Sequence, residues 1–181
     1  MGDGEVVRSG AAASRRQQAA VLLVLTTLLT LTATVFDRAV ATAAVGCSGR
    51  GHSVIVYRGP QRAVLCDGSR QVTSFPVTTN FTQPKAGTYR VYSKGTATNR
   101  IKGRRILMDW FVGFAYGKVE GWSIGFHAIP RYENGQLIQP PGTVGSRAYK
   151  GSTGGCIRQT QAQAKQTFQW LSYGDRVIIV G

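Results

Sequence analysis

The chain has 181 residues, of which 43% are hydrophobic and 17% charged, and it carries a net charge of +14 at pH 7. That length holds one domain with a sizeable core plus a leader, and the composition excludes a disordered chain. The charge attracts polyanions, but the basic residues are scattered and no nucleic-acid-binding motif is present, so nothing supports a nucleic-acid reader.

At the amino terminus, residues 1–14 are polar, Arg15-Arg16 follow, and Ala19 opens an 18-residue run to Phe36 without a charge. Small residues close the segment in Ala41-Thr42-Ala43-Ala44. A basic region, an apolar region and Ala-x-Ala form the layout of a secretory signal peptide. Residues 1–44 are therefore predicted to be a signal peptide cut after Ala43 or Ala44, and residues 45–181 a single secreted domain. Left uncleaved, the segment would be a signal anchor and the chain's one route to a membrane, since its length just reaches a span. Thr26, Thr27, Thr30, Thr32 and Thr34 count against that. Ser14-Arg15-Arg16 carries a twin arginine, but Gln17-Gln18-Ala19 lacks the apolar pair of such signals. Ala44-Val45-Gly46-Cys47 has the outline of a lipoprotein site, without leucine at 44 and with Asp37-Arg38 interposed.

Residues 45–181 keep 18 basic and 5 acidic residues, a net charge of +13. In an exported protein a field of that sign meets anionic cell-wall polymers and peptide carboxylates. Export also places three cysteines in an oxidising compartment, which suggests one disulfide and one free thiol. Cys47 and Cys66 flank a predicted hairpin, Ser53 to Tyr57 and Arg62 to Leu65 around Gly59-Pro60, and are placed to bridge its open end. The alternatives are a lipidated Cys47 or a simply buried Cys66. Cys156 is left free.

Beyond the hairpin, short apolar or alternating runs recur at 71–77, 88–93, 105–112, 122–127 and 176–180, punctuated by Gly and Pro. Such runs predict a mostly-β sandwich or barrel-like domain. One helix is predicted: Thr160 can cap Gln161 onward, Ala164, Phe168 and Leu171 fall at helical spacing, and Gly174 lies past the end. It is expected to begin directly after Cys156-Ile157-Arg158, where its N-terminus would lend positive potential to the thiol. Pro140-Pro141-Gly142 and residues 147–152 form a loop ahead of the cysteine, of the kind that lines or covers a cleft. No metal site is expected, because the histidines, cysteines and acids show no ligand spacing. His52 opens the first strand, where solvent or a local hydrogen bond is its expected partner. Arg58-Gly59-Pro60 and Lys102-Gly103-Arg104 read as simple turns, not phosphate cradles.

The chemistry concentrates in Ser152-Thr153-Gly154-Gly155-Cys156-Ile157-Arg158 and in Gly125-Phe126-His127-Ala128-Ile129-Pro130. A thiol attacks as its thiolate and needs a base or a positive potential nearby. His127 is one of two histidines in the chain. Gly154 and Gly155 let the backbone turn tightly, and the N–H groups of Gly155 and Cys156 could cradle an oxyanion. Arg158 could clamp a carboxylate through its planar fork. Taken singly, a cysteine is more often a small buried hydrophobe, a Gly-Gly pair a turn, and a histidine in an apolar run a core residue. Together they favour a site, because Cys, Gly-Gly and Arg within five residues make a poor core strand.

Thr153-Gly154-Gly155-Cys156-Ile157-Arg158, preceded by Phe126-His127, resembles the signature of the bacterial L,D-transpeptidase catalytic domain: a histidine, a spacer, then Ser/Thr-His-Gly-Cys, a hydrophobic residue, and Arg or Asn. Pro84-Lys85-Ala86-Gly87-Thr88-Tyr89 is similar to the family's Thr-Pro-x-Gly-x-aromatic turn, and residues 173–179 to its closing strand. The resemblance spans roughly residues 52–180. It departs in three places: Gly154 stands where a second histidine is usual, 29 positions separate His127 from Cys156, and the Pro84 turn has one extra residue with Gln83 replacing threonine.

The resemblance implies a β-sandwich with one helix following the cysteine, and a secreted enzyme that cross-links peptidoglycan without a cofactor. Cys156 would be the nucleophile on stem peptides and His127 its base. Thr153 would orient the histidine, and Gly155 would supply an oxyanion-hole N–H. Arg158 would hold a carboxylate or brace the loop, and Gly154 would contact substrate. Tyr132 and Trp122 would line the cleft, although core or surface packing is the commoner role for such residues. D-Ala would leave and an amine from a second stem would resolve the thioester. Water in that role would make an L,D-carboxypeptidase. A catalytically inactive wall-binding module is the alternative of a different class. A sortase-like enzyme would need a Thr-Leu-x-Thr-Cys strand, and a papain-like one the order Cys before His; neither is here.

Overall fold

In the computed structural model, residues 45–118 and 122–181 are described. The leader expected at 1–44 lies outside the described residues.

Among the described residues ten strands form two five-stranded sheets. The first has the order β3 (Arg70–Pro76), β2 (Arg62–Asp67), β1 (His52–Tyr57), β10 (Arg176–Val180), β4 (Gly87–Arg90). The second runs β5 (Ser93–Ile101), β6 (Arg104–Tyr116), β7 (Ser123–Ala128), β9 (Ile157–Gln159), with β8 (Arg131–Tyr132) also paired to β6. Two pairs are parallel, β1 with β10 and β7 with β9; the rest are antiparallel. This is the mostly-β sandwich that the sequence predicts, with one helix.

Side-chain alternation explains the layers. Val54 and Val56 on β1, Leu65 on β2 and Val177 and Ile179 on β10 meet Val112, Phe114, Phe126 and Ile157 of the second sheet in one core. The opposite face of the first sheet carries Ile55, Val64 and Cys66. Cys47 covers that face and is joined to Cys66 by a disulfide, with Cα atoms 5.5 Å apart. A face apolar on both sides of a strand needs a second cover, and the residues before β1 provide it.

The helix α1 (Gln161–Trp170) starts where predicted, with a capping box between Thr160 and Gln163. It packs across β6, β7 and β9, and Gln159 Nε2 donates to Thr167 Oγ1 at 2.8 Å. Its start is not adjacent to the thiol, however. The strand β9 intervenes, and three extended residues span about 10 Å. Sequence reading passes over β9 because a fully buried strand is expected to be apolar, whereas Arg158 and Gln159 find buried polar partners. It also shortens β6 and misses most of β5, a polar edge strand whose residues do not alternate in hydrophobicity. The turn between β5 and β6 is tight, with positive φ at Lys102 and Gly103.

Candidate active site

Pairing of β7 with β9 sets Phe126 opposite Ile157 and His127 opposite Arg158. Phe126 and Ile157 turn into the core, so His127 and Arg158 face the other way. Cys156, two residues before Arg158, shares that face by the period of two. The sequence separates His127 and Cys156 by 29 positions, and the parallel ladder returns them to one surface.

Above this surface lies a cleft of about 700 Å³. His127, Cys156, Arg158 and Phe111 line its base. One wall is the β5–β6 hairpin, with Arg100, Ile106 and Met108; another is the β6–β7 turn, with Lys118 and Trp122, and Ile124 at the start of β7. Gln83, Ser152, Thr153 and Gly154 close a third side. Gly125 makes room for the base. A Cβ there would lie 2.7 Å from Phe111 Cζ, and Phe111 reaches across to stack on the His127 ring at 6.3 Å between centroids, 15° from parallel.

His127 is 2% exposed. Its Nδ1 lies 2.6 Å from the carbonyl oxygen of Ala128, which can only accept, so Nδ1 carries the proton and Nε2 the lone pair. Burial pushes the imidazole down to about 4, the Ala128 bond offsets part of this, and the charge of Arg158 lowers it further. The ring is therefore neutral at pH 7. Cys156 is free and half-buried, and its thiol points to Ser123 O at 3.8 Å. Burial raises its pKa, while a Gly125 backbone hydrogen bond and the Arg158 charge pull it back. A neutral imidazole and a half-buried thiol thus line one cleft, the two group types that attack on a carbonyl by a thiol requires.

The residues around this pair differ from expectation in four respects. Thr153 Oγ1 donates to Cys156 O at 2.9 Å and accepts from Gly155 N–H at 3.3 Å; it makes no hydrogen bond to His127, whose ring is held by Ala128. The Gly155 N–H is thereby engaged, whereas those of Gly154 and Cys156 have no acceptor among the described residues, which moves the available oxyanion donors to these two. Arg158 is 6% exposed, and its Nη1 donates to Gln139 Oε1 at 2.6 Å and Ser152 Oγ at 3.2 Å. Tyr132 lies outside the cleft lining: it pairs with Ile106 on β6 and its ring carries Arg104 at 3.7 Å.

Gly155 has φ +126°, and a Cβ on it would approach Ile124 Cδ1 to 2.8 Å. Gly154 is open, with Trp122 3.9 Å from where its Cβ would be. Trp122 does line the cleft. The long loop before Cys156 folds into two short 3-10 turns, Pro141–Thr143 and Arg147–Tyr149. Its residues 140–151 do not line the cleft; Gln61 Nε2 instead fastens the loop through Gly145 O and Ser146 O.

Two supports carried no local signal. Asn80 donates to Thr153 O at 2.6 Å, and Gln139, 1% exposed, links Arg158 to Thr78 Oγ1. Both contacts run between segments distant in sequence. Among the described residues no cluster of three or more His, Cys, Asp or Glu could hold a metal ion, and no helix is long and apolar enough to cross a membrane.

The model of the L,D-transpeptidase catalytic domain matches residues 51–179. Among solved structures, an L,D-transpeptidase from Mycobacterium smegmatis is 16% identical with a TM-score of 0.56, over 74% of this chain and 60% of that one. One from Stackebrandtia nassauensis is 17% identical with a TM-score of 0.53, over 78% and 62%. A fused Zn-dependent amidase/peptidase/peptidoglycan-binding domain-containing protein from Clostridium acetobutylicum is 20% identical with a TM-score of 0.51, over 71% and 51%. Identities this low establish the shared fold, and the chain spans only about half to three-fifths of those structures' lengths. A search of the curated proteins finds no match.

Proposed function

Because the chain belongs to the L,D-transpeptidase catalytic-domain family, we propose that it is a secreted enzyme that cross-links peptidoglycan stem peptides through a thioester on Cys156. The observation that carries this reading is the placement of Cys156 and His127 on one face of the second sheet, at the base of a single cleft.

His127 Nε2 takes the proton from Cys156 Sγ, and the sulfur attacks the carbonyl of an L-centre joined to D-Ala. Electrons of the C=O bond move to oxygen, where the N–H groups of Gly154 and Cys156 meet the charge. Collapse breaks the bond to D-Ala, whose nitrogen takes the proton from His127. An amine of a second stem then adds to the thioester, gives its proton to His127, and expels the thiolate as the amide forms. Phe111 and Trp122 border the substrate path. The reading takes residues 1–44 as the export signal, residues 45–181 as the catalytic domain, and the surplus of basic residues as a means of staying on an anionic wall.

Incubation with a disaccharide-tetrapeptide tests the reaction. A cross-linked dimer plus free D-Ala is expected, and D-Ala without dimer would make the enzyme a carboxypeptidase. Intact-mass spectrometry with a carbapenem tests the nucleophile: one adduct on the native chain and none on Cys156→Ala. A native chain that takes no adduct and consumes no peptide would overturn the enzyme reading.

A further inference from the structure

Arg158 is a buried cation with no carboxylate beside it among the described residues. Its guanidinium contacts only neutral groups, namely Gln139 Oε1, Ser152 Oγ and, at 3.5 Å, Ser152 O, while its Nε is buried without a partner. The described carboxylates are used elsewhere: Asp67 with Arg70, Asp109 with Arg131, Glu133 with Arg105, and Asp175 on the Ser172 N–H. An uncompensated buried charge is costly. A fold that holds one rigidly beside a reactive group has a use for it when an anion forms there.

We infer that Arg158 is the counter-ion of the Cys156 thiolate, a positioning residue that acts through the charge on sulfur and not a clamp for a substrate carboxylate. Two positions apart on one strand face, the two side chains are about 7 Å apart at their Cα atoms. Nη1 is already held by Ser152 and by Gln139, itself held by Thr78, and at 6% exposure little of the guanidinium is left for a carboxylate arriving from solvent. Gln139 and Ser152 thus fix the guanidinium before any substrate arrives.

The other groups facing the sulfur are poorer counter-ions. His127, from β7, is buried and neutral, and the charge of Arg158 opposes its protonation. Tyr92, from the β4–β5 connection, is neutral in its ordinary state and stacks on Tyr116. Arg100 on β5 and Lys118 on the β6–β7 turn line the cleft walls but are exposed, where solvent and salt screen them. Residues 152–155 bring no charge. Burial raises the pKa of Cys156 and lowers that of Arg158, and the attraction between thiolate and guanidinium offsets part of each shift.

The inference rests on Cys156 being the nucleophile of the proposed function, but its test needs no peptidoglycan. With the disulfide intact, iodoacetamide alkylates Cys156 alone, and intact mass gives the rate from pH 5 to 11 on the full chain. For Arg158→Gln the midpoint of the pH profile is expected to rise by about one unit, a roughly 10-fold slower alkylation at pH 7. Arg158→Lys should restore most of it. Gln139→Glu leaves Arg158 in place and hands it a carboxylate, so its midpoint should rise too; it decides the matter if Arg158→Gln fails to fold by circular dichroism. Unchanged midpoints in both Arg158→Gln and Gln139→Glu would overturn the inference and leave Arg158 a structural brace. A normal Arg158-dependent profile in a chain that turns over no stem peptide would instead sink the proposed function alone.

Discussion

Nδ1 of His127 lies 2.6 Å from the carbonyl oxygen of Ala128, so the backbone of β7 itself sets the tautomer of the candidate base. The side chain placed by resemblance in that role, Thr153, is 6% exposed and bonds the cysteine loop to itself through Cys156 O and Gly155 N–H. Replacing Thr153 by Val keeps the shape and strands both partners, at a cost of about 1–3 kcal/mol. Urea unfolding should show that loss. The acid limb of the activity profile should not move, because His127 keeps its Ala128 bond; a shifted limb would return Thr153 to the base.

The Cys47–Cys66 bridge joins residues 19 positions apart, and a link of that length stabilises a domain by on the order of 3 kcal/mol. It also seals the residues before β1 against Ile55 and Val64. Cys47→Ala paired with Cys66→Ala is expected to lower the unfolding free energy from urea titration by about that amount while alkylation of Cys156 proceeds at the native rate. Thiol titration should find one reactive group in the folded chain and three after reduction and unfolding. Two or more in the folded, unreduced chain would mean the bridge does not form.

Much of this fold is visible in the sequence because it rests on local rules. The β1–β2 hairpin, the Thr160 cap, the β10 strand and the pairing of two cysteines across a hairpin all follow from short-range pattern. What is not visible depends on partners far along the chain. Strand β9 is short and polar, and it exists because β7, Gln139 and Thr167 receive it. The engagement of the Gly155 N–H by Thr153 turns on a backbone shape that Gly-Gly permits without specifying. Cys156 and His127 stand out by residue type, while the supports from Asn80 and Gln139 carry no pattern of their own.

The two glycines before Cys156 should respond oppositely to a methyl group. At Gly155, φ of +126° and a Cβ 2.8 Å from Ile124 Cδ1 impose backbone strain and a clash together, a combination expected to cost about 1–3 kcal/mol. At Gly154 the same methyl meets only Trp122 at 3.9 Å, and stability should change by less than about 0.5 kcal/mol. Thermal melts of Gly155→Ala and Gly154→Ala give the comparison. Equal losses would mean that the loop adopts another path. Gly154→His, which supplies the residue usual in the family, should fold and alkylate at Cys156.

Burial of His127 should also write itself into the pH dependence of folding. Its pKa is about 4 in the folded chain against 6.5 for the free side chain, so between these values the unfolded chain binds the extra proton. Stability then rises with pH across that window, is fully present above about 6.5, and is lost as pH falls toward 4. A depression of that size corresponds to about 3 kcal/mol in all. Urea titrations of the full chain at pH 4, 5, 6 and 7 should show the slope, and His127→Gln should flatten it over that range. A native chain equally stable at pH 4.5 and 7 would mean that the imidazole reaches solvent and is not the neutral, enclosed base that the Ala128 contact and the Phe111 stack hold in place.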